Sequence, residues 1–214
     1  PSVKDNLFQA GSDALICGEA YWNWDEILQG IENSNSEATN LLLKEFPQKK
    51  IERKIKLDGE YPVPAWDLFD LKNYWSLPYA HGPKTKKFFP IYTSRGCPYP
   101  CDFCVVPGTN NQKWRGRKAQ DVVGEIQTLR DQYQVFDFQI EDLNPTIHWA
   151  RMDEICDLLI QKNLGIRFYI VSGTKAETIK IEQLEKYQKA GCRYISISPE
   201  SGSATVMKAI GKHF

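Results

Sequence analysis

The sequence lacks an excess of either charge: 27 Lys and Arg balance 27 Asp and Glu over 214 residues. That neutrality argues against a nucleic-acid surface or an anionic membrane as partner. It lacks any apolar run near the roughly 20 residues that span a bilayer. It also lacks a signal-peptide pattern at its start. There is no disulfide framework. Of six cysteines, Cys17, Cys156 and Cys192 are scattered singly at apolar positions, as reduced, buried thiols of a cytoplasmic protein are. No internal repeat is visible. The composition, 42% hydrophobic and 25% charged, is that of an ordinary globular protein. Its length suits one substantial domain, or one domain with part of another. The beginning at Pro1 and the end at Phe214, just past a helical pattern, read as the cut ends of a longer protein.

The chain reads in three parts. In residues 1–40 a buried strand over 13–17 precedes a helix over 24–31, and a polar loop follows from 33 to 40. Residues 41–87 read as a linker. It holds an apolar patch at 41–46 and an edge strand over 49–56. Tyr61 to Tyr79 is rich in proline and aromatics, and its large side chains would pin it down. Ala80 to Lys87 is basic and reads as exposed. From residue 88 strands and helices alternate. Strands are expected at 88–93, 135–140, 166–171 and 193–198. Helices are expected at 119–133, 148–162, 181–190 and 203–210, with Gly191 stopping the third. About 30 residues per strand–helix unit implies parallel pairing with right-handed crossovers. Four units are too few to close an eight-unit barrel. The fold class is therefore α/β, an open or half barrel.

Three cysteines, Cys97, Cys101 and Cys104, fall within Cys97-Pro98-Tyr99-Pro100-Cys101-Asp102-Phe103-Cys104. Thiolates suit iron–sulfur clusters, zinc and copper(I). Three thiolates can hold one corner of a four-iron cubane and leave one iron open for a chelating small molecule. A structural zinc site wants four ligands, usually in two knuckles. No second knuckle follows, and His81 and His148 are the candidates to complete one. The motif comes directly after the first strand of the alternation, where α/β folds place ligands.

In the context Thr93-Ser94-Arg95-Gly96-Cys97-Pro98-Tyr99, with Phe103 before the third cysteine, this spacing resembles the radical S-adenosylmethionine superfamily. The resemblance continues through Arg115 to Ile126, Ile140-Glu141-Asp142-Leu143-Asn144, Ala190-Gly191-Cys192 and Pro199-Glu200-Ser201-Gly202-Ser203. It covers roughly residues 88–214. It implies a partial (β/α)6 barrel, of which the first four β/α units are visible. It also implies a 4Fe–4S cluster on Cys97, Cys101 and Cys104. S-adenosylmethionine would chelate the open iron. One electron, from an external flavodoxin- or ferredoxin-type donor, would cleave it to methionine and a 5′-deoxyadenosyl radical.

The resemblance carries further site residues. Phe103 would lie near the adenine, partly through its backbone. Glu141 or Asp142, at the end of the second strand, would meet the ammonium of S-adenosylmethionine by a charge-assisted hydrogen bond. Being adjacent, only one can point inward. Glu141 is favoured because positions 135, 137, 139 and 141 would share its face. The other reading is that one of the two merely caps the next loop. Glu200, Ser201 and Ser203 would lie near the ligand's ribose and carboxylate, although Ser201 or Ser203 would also serve as an ordinary helix N-cap. Pro199 stands where relatives often carry a small or apolar residue. Lys175 follows the third strand where many relatives have a nearby arginine. It reads equally as a point charge for a carboxylate or as a solvated lysine. His148 reads as a helix start, and Tyr169 as a packed core tyrosine.

Residues 13–19 and the helix after them are similar to the last strand and helix of a cobalamin-binding α/β domain. Leu57 to Leu68 resembles the linker that joins such a domain to the radical barrel. The branch so implied contains methylases of unactivated carbon and phosphinate centres, and cyclases of the porphyrin-ester type. Its substrates would be small-molecule or lipid-like. Asp-x-His-x-x-Gly, the lower-ligand motif of some cobalamin domains, is absent from the chain, so cobalamin would bind through sequence ahead of Pro1. Two alternatives stay open. Cys104-Val105-Val106-Pro107 is similar to the methylthiotransferases of RNA or protein. A non-catalytic iron–sulfur or zinc module would bind metal without responding to S-adenosylmethionine.

Overall fold

The computed structural model describes residues 9–11, 63–107 and 112–212. The chain divides into two compact units, residues 1–55 and 56–214. Of the first unit only the exposed turn at 9–11 is described. The expected strand at 13–17, helix at 24–31, loop at 33–40, apolar patch at 41–46 and edge strand at 49–56 lie outside the described residues, as does Cys17.

In the second unit a four-stranded parallel sheet forms in the order β1-β4-β5-β6. The strands are β1 (Phe89–Ile91), β4 (Asp137–Ile140), β5 (Arg167–Thr174) and β6 (Cys192–Ile197). Each is joined to the next by a helix: α2 (Ala119–Tyr133), α3 (Trp149–Lys162) and α4 (Ile181–Ala190). Gly191 caps α4 in the left-handed region, at φ 108°. A short helix, α5 (Ala204–Ala209), follows β6. This is the sector of a barrel that the alternation implies, its four strands lying side by side in chain order.

Period 2 along the strands decides the layers. Phe89, Ile91, Phe138, Ile140, Phe168 and Ile170 pack in one buried cluster with Val122, Val123, Ile126 and Leu129 of α2 and Met152, Ile155 and Leu159 of α3. The other face carries Asp137, Gln139 and Tyr169 in register on β4 and β5. There Tyr169 Oη donates to Asp137 Oδ1 at 2.7 Å, and Arg167 grips the same carboxylate in two bonds at 2.7 and 2.8 Å. Bidentate pairing holds the Asp137 carboxyl below its ordinary range against the cost of burial.

Three features differ from the sequence-based expectation. A short antiparallel ribbon, β2 (Ser94–Arg95) with β3 (Arg115–Gly116), flanks the cysteine loop. Within residues 63–87 a 3₁₀ turn (Trp66–Leu68) and α1 (Leu71–Ser76) form. Trp66 and Trp75 pin this segment by packing on Phe89 at 4.9 and 5.9 Å. In the stretch read as exposed, His81, Lys84, Lys86 and Lys87 are exposed as expected, but Gly82 and Pro83 are seated on the sheet through hydrogen bonds with Gln139. Among the described residues no helix is long and apolar enough to cross a membrane.

Phe138 is fully buried at the centre of this core. Phe138→Ala is expected to lower the unfolding free energy by about 3–5 kcal/mol in chemical denaturation. The control Leu68→Ala, at a side chain 80% exposed, should stay close to wild type. Equal effects from the two would mean that the apolar face of the sheet is not the core.

Candidate functional site

The loop that holds the cysteines leaves the carboxyl end of β1, on the edge of the sheet where the parallel strands β4, β5 and β6 also end. Its near end is anchored by Asp142, only 1% exposed, just past β4. The carboxylate accepts from the Thr93 backbone N–H at 2.6 Å, from Thr93 Oγ1 at 2.6 Å and from Ser94 Oγ. Arg151 of α3 donates to Thr93 O at 2.8 Å and to Thr93 Oγ1 at 3.0 Å. Trp114 Nε1 bonds Ser94 Oγ at 3.1 Å. Burial pushes the Asp142 carboxyl above its ordinary pKa, against the pull of these donors. A buried acceptor with this many donors is costly to leave unmatched, so it specifies where the loop begins.

Cys97, Cys101 and Cys104 are free thiols of intermediate exposure. A turn closes between the last two, with Cys104 N–H on Cys101 O at 3.0 Å. The loop's far side is tied to the end of α5, where Asp102 N–H donates to Ile210 O at 3.2 Å. Burial lifts the Cys97 thiol above its ordinary pKa. A backbone N–H at Tyr99 and the Lys175 charge oppose the rise, while Cys101 and Cys104 add to it. Lys175, at the end of β5, is 9% exposed and lies 4.2 Å over the Tyr99 ring, a cation–π contact. It also pairs with Glu177 at 2.6 Å. The structure thus buries this lysine beside the cysteine loop, against the solvated reading. The Phe103 side chain stands 55% exposed.

Glu141 and Glu200 sit after β4 and β6, with β5 between them. Glu141 Oε2 lies 2.5 Å from His81 Nδ1. Asp137, Gln139 and Glu141 alternate along β4 as expected, whereas Val135 belongs to the core. Glu200, at φ 63°, accepts from Lys212 Nζ at 2.8 Å. The same ammonium donates to Ser198 O at 2.5 Å. Ser201 Oγ accepts from Ser203 N–H at 3.1 Å, and Ser203 caps α5 through Val206 N–H at 3.4 Å. Between these positions Asn144 Oδ1 gathers the hydroxyls of Thr146, Thr174 and Thr178. His148 starts α3 and stacks on Trp114, the rings 6.2 Å apart and 7° from parallel.

The structure therefore brings Lys175 to Tyr99 and Cys97, and gives the two glutamates separate partners. Sequence reasoning missed Asp142 as the anchor, missed Arg151 and Lys212, and weighed His81 only as a possible zinc ligand, not as the partner of Glu141. Thr93 and Ser94, two hydroxyls directly ahead of the cysteines, were the available signal for a buried acceptor.

The sequence pattern described as the Radical SAM superfamily matches residues 91–214. The chain belongs to that superfamily. Its members use a 4Fe–4S cluster and S-adenosylmethionine. The chain is similar to cytidylyl-2-hydroxyethylphosphonate methyltransferase of Streptomyces wedmorensis, 31% identical over 71% of this chain and 28% of that protein. It is also similar to the anaerobic magnesium-protoporphyrin IX monomethyl ester cyclase of a Synechocystis species, 32% identical over 94% of this chain and 40% of that protein. The fold matches the radical S-adenosylmethionine methyltransferase TsrM of Kitasatospora setae, solved with cobalamin and a 4Fe–4S cluster. The TM-score is 0.53 at 18% identity, over 60% of this chain and 24% of that one. The chain spans well under half the length of these relatives.

The radical SAM cradle here fits a cluster by its donor set: three thiols, none in a disulfide, half-buried on one loop; among the described residues no three Cys, His, Asp or Glu side chains are yet drawn together as a metal site. If Asp142 holds that loop, Asp142→Ala should lower the unfolding free energy by about 3 kcal/mol and reduce the iron bound after anaerobic reconstitution. Glu141→Ala should leave iron content near wild type. Full iron loading in folded Asp142→Ala protein would show that the anchor is dispensable.

Proposed function

We propose that this chain is the cluster- and S-adenosylmethionine-binding part of a cobalamin-dependent radical enzyme, a C-methyltransferase or related biosynthetic enzyme such as a cyclase. The observation that carries the reading is the three-thiol loop at the carboxyl end of β1, with Lys175, just past β5, over its Tyr99 ring; Glu141 and Glu200 follow β4 and β6 on the same edge of the sheet. In this reading residues 88–214 are the barrel, 41–87 the linker, and 1–40 the tail of a cobalamin-binding-like domain.

Cys97, Cys101 and Cys104 would hold the cluster. Bound there, it supplies the electron that cleaves the sulfonium of S-adenosylmethionine to methionine and a 5′-deoxyadenosyl radical. Glu141 orients the ligand's ammonium by a charge-assisted hydrogen bond. Glu200, with Ser201 and Ser203, lies toward the ribose and carboxylate. Phe103 meets the adenine, partly through its backbone. Tyr99, backed by Lys175, shields one side of the loop from water.

Cobalamin enters the reading through the similarity to TsrM and through residues 13–19 and 57–68. The named substrates of the relatives, a cytidylylated phosphonate and a porphyrin ester, favour a small-molecule or lipid-like substrate here. A flavodoxin- or ferredoxin-type donor would supply the electron. Unpaired, buried Cys156 and Cys192 suit a cytoplasmic setting.

Electron paramagnetic resonance on the anaerobically reconstituted, reduced protein tests this. A 4Fe–4S signal is expected that changes when S-adenosylmethionine is added. It should be lost or strongly reduced in Cys97→Ala, Cys101→Ala and Cys104→Ala. A signal indifferent to S-adenosylmethionine, or zinc in place of iron, would reduce the chain to a metal-binding module.

A further inference from the structure

The segment Ala80 to Lys87 runs over the polar face of the sheet, and its contacts are specific. Gly82 N–H donates to Gln139 Oε1, and Gln139 Nε2 donates to Pro83 O, both at 3.4 Å. Gln139 is buried, 1% exposed, so its amide is committed to holding the strap. A Cβ on Gly82 would stand 2.2 Å from Val171 Cγ1. No other residue lets the backbone lie so close to β5. Seated in this way, the strap presents His81 to Glu141, which is 60 residues away in sequence.

The His81–Glu141 contact is short and one-sided. An ionised carboxylate only accepts, so Nδ1 of His81 carries the proton and donates to Oε2. Glu141 is fixed at its backbone as well, by its N–H on Ile91 O at 3.0 Å. With the main chain and Oε2 both held, Oε1 is the atom left to turn toward the strand ends. Most of the histidine ring is exposed, whereas the Glu141 side chain is only 17% exposed. The imidazole therefore covers one side of a sunken carboxylate.

We propose that the His81-Gly82-Pro83 strap is a built part of the S-adenosylmethionine site, with His81 a positioning residue that fixes the Glu141 carboxylate by one oxygen and leaves the other to the ligand's ammonium. This rests on the reading of Glu141 given above. Flexible exposed acids gain little from a cation, because ordering the side chain offsets the attraction. A carboxylate already locked by a neighbour spares that cost when the ligand arrives. The strap thus supplies preorganisation, and Gly82 and Gln139 set the histidine where it can do so.

The test is a double-mutant cycle on S-adenosylmethionine binding to the cluster-reconstituted protein, measured by calorimetry. Glu141→Gln should weaken binding tenfold or more. His81→Ala should weaken it about five- to tenfold, His81→Asn less because its amide can replace the Nδ1 donor, and Gly82→Ala about as much as His81→Ala. The double variant His81→Ala with Glu141→Gln should bind no more weakly than Glu141→Gln alone. In the cluster-free protein, Glu141→Gln should speed hydrogen exchange over residues 80–84, with the core helices unchanged. Tighter or unchanged binding in His81→Ala, beside a weakened Glu141→Gln, would overturn the positioning role and keep Glu141. Multiplicative losses in the double variant would overturn it too. Unchanged binding in Glu141→Gln would overturn the reading of Glu141 itself, and the strap's role with it.

Discussion

A single buried carboxylate organises the site end of this protein. Asp142 holds the first two residues of the cysteine loop by three hydrogen bonds, from a position just past β4. A charge in that place is tolerable only because donors from the loop surround it, with Arg151 completing the shell through Thr93. The relation runs both ways. The loop gives the carboxylate its partners, and the carboxylate gives the loop its starting direction. The ribbon of β2 and β3, and the contacts of the Trp114 ring with His148 and Arg151, adjoin the point where Ser94 is held.

The two faces of the sheet divide the labour. One is apolar, covered by α2 and α3 and closed to water. The other carries Asp137, Gln139, Glu141 and Tyr169, and satisfies them with Arg167 and the strap of residues 81–83. A barrel sector whose inner face were equally apolar would have to fill its interior with side chains. This one keeps polar groups there at no large cost, because most have a designated partner. The polar rim at the strand ends, from Asn144 to Lys212, continues that face toward the cysteines.

Much of this was legible in the sequence, and the boundary between legible and hidden is physical. Helices 119–133 and 181–190 match to the residue because a 3.6-residue apolar period runs through each. The strands are placed to within a few residues, but β5 runs on to Thr174, past the apolar stretch that announced it. The two-residue strands β2 and β3 carry no period at all and came only with the structure. The cysteines were readable because their chemistry depends on local spacing. Pairings such as His81 with Glu141 were not, because 60 residues separate them and nothing in either neighbourhood announces the other. The choice between Glu141 and Asp142 shows both limits. Alternation put Glu141 on the face of Asp137 and Gln139, yet could not tell that its neighbour turns into the loop.

The cysteine loop has two moorings, and they come from distant parts of the chain. Asp142 lies 49 residues beyond Thr93, and Ile210, which receives Asp102 N–H, comes after the fourth strand. A ribosome therefore delivers the three thiols well before it delivers either tether. While the chain emerges, the thiols sit on a segment with no fixed shape. Both tethers are in place only once β6 and α5 have docked. The loop thus takes its final shape late in synthesis, and thiols exposed before then stay intact only in a reducing surrounding.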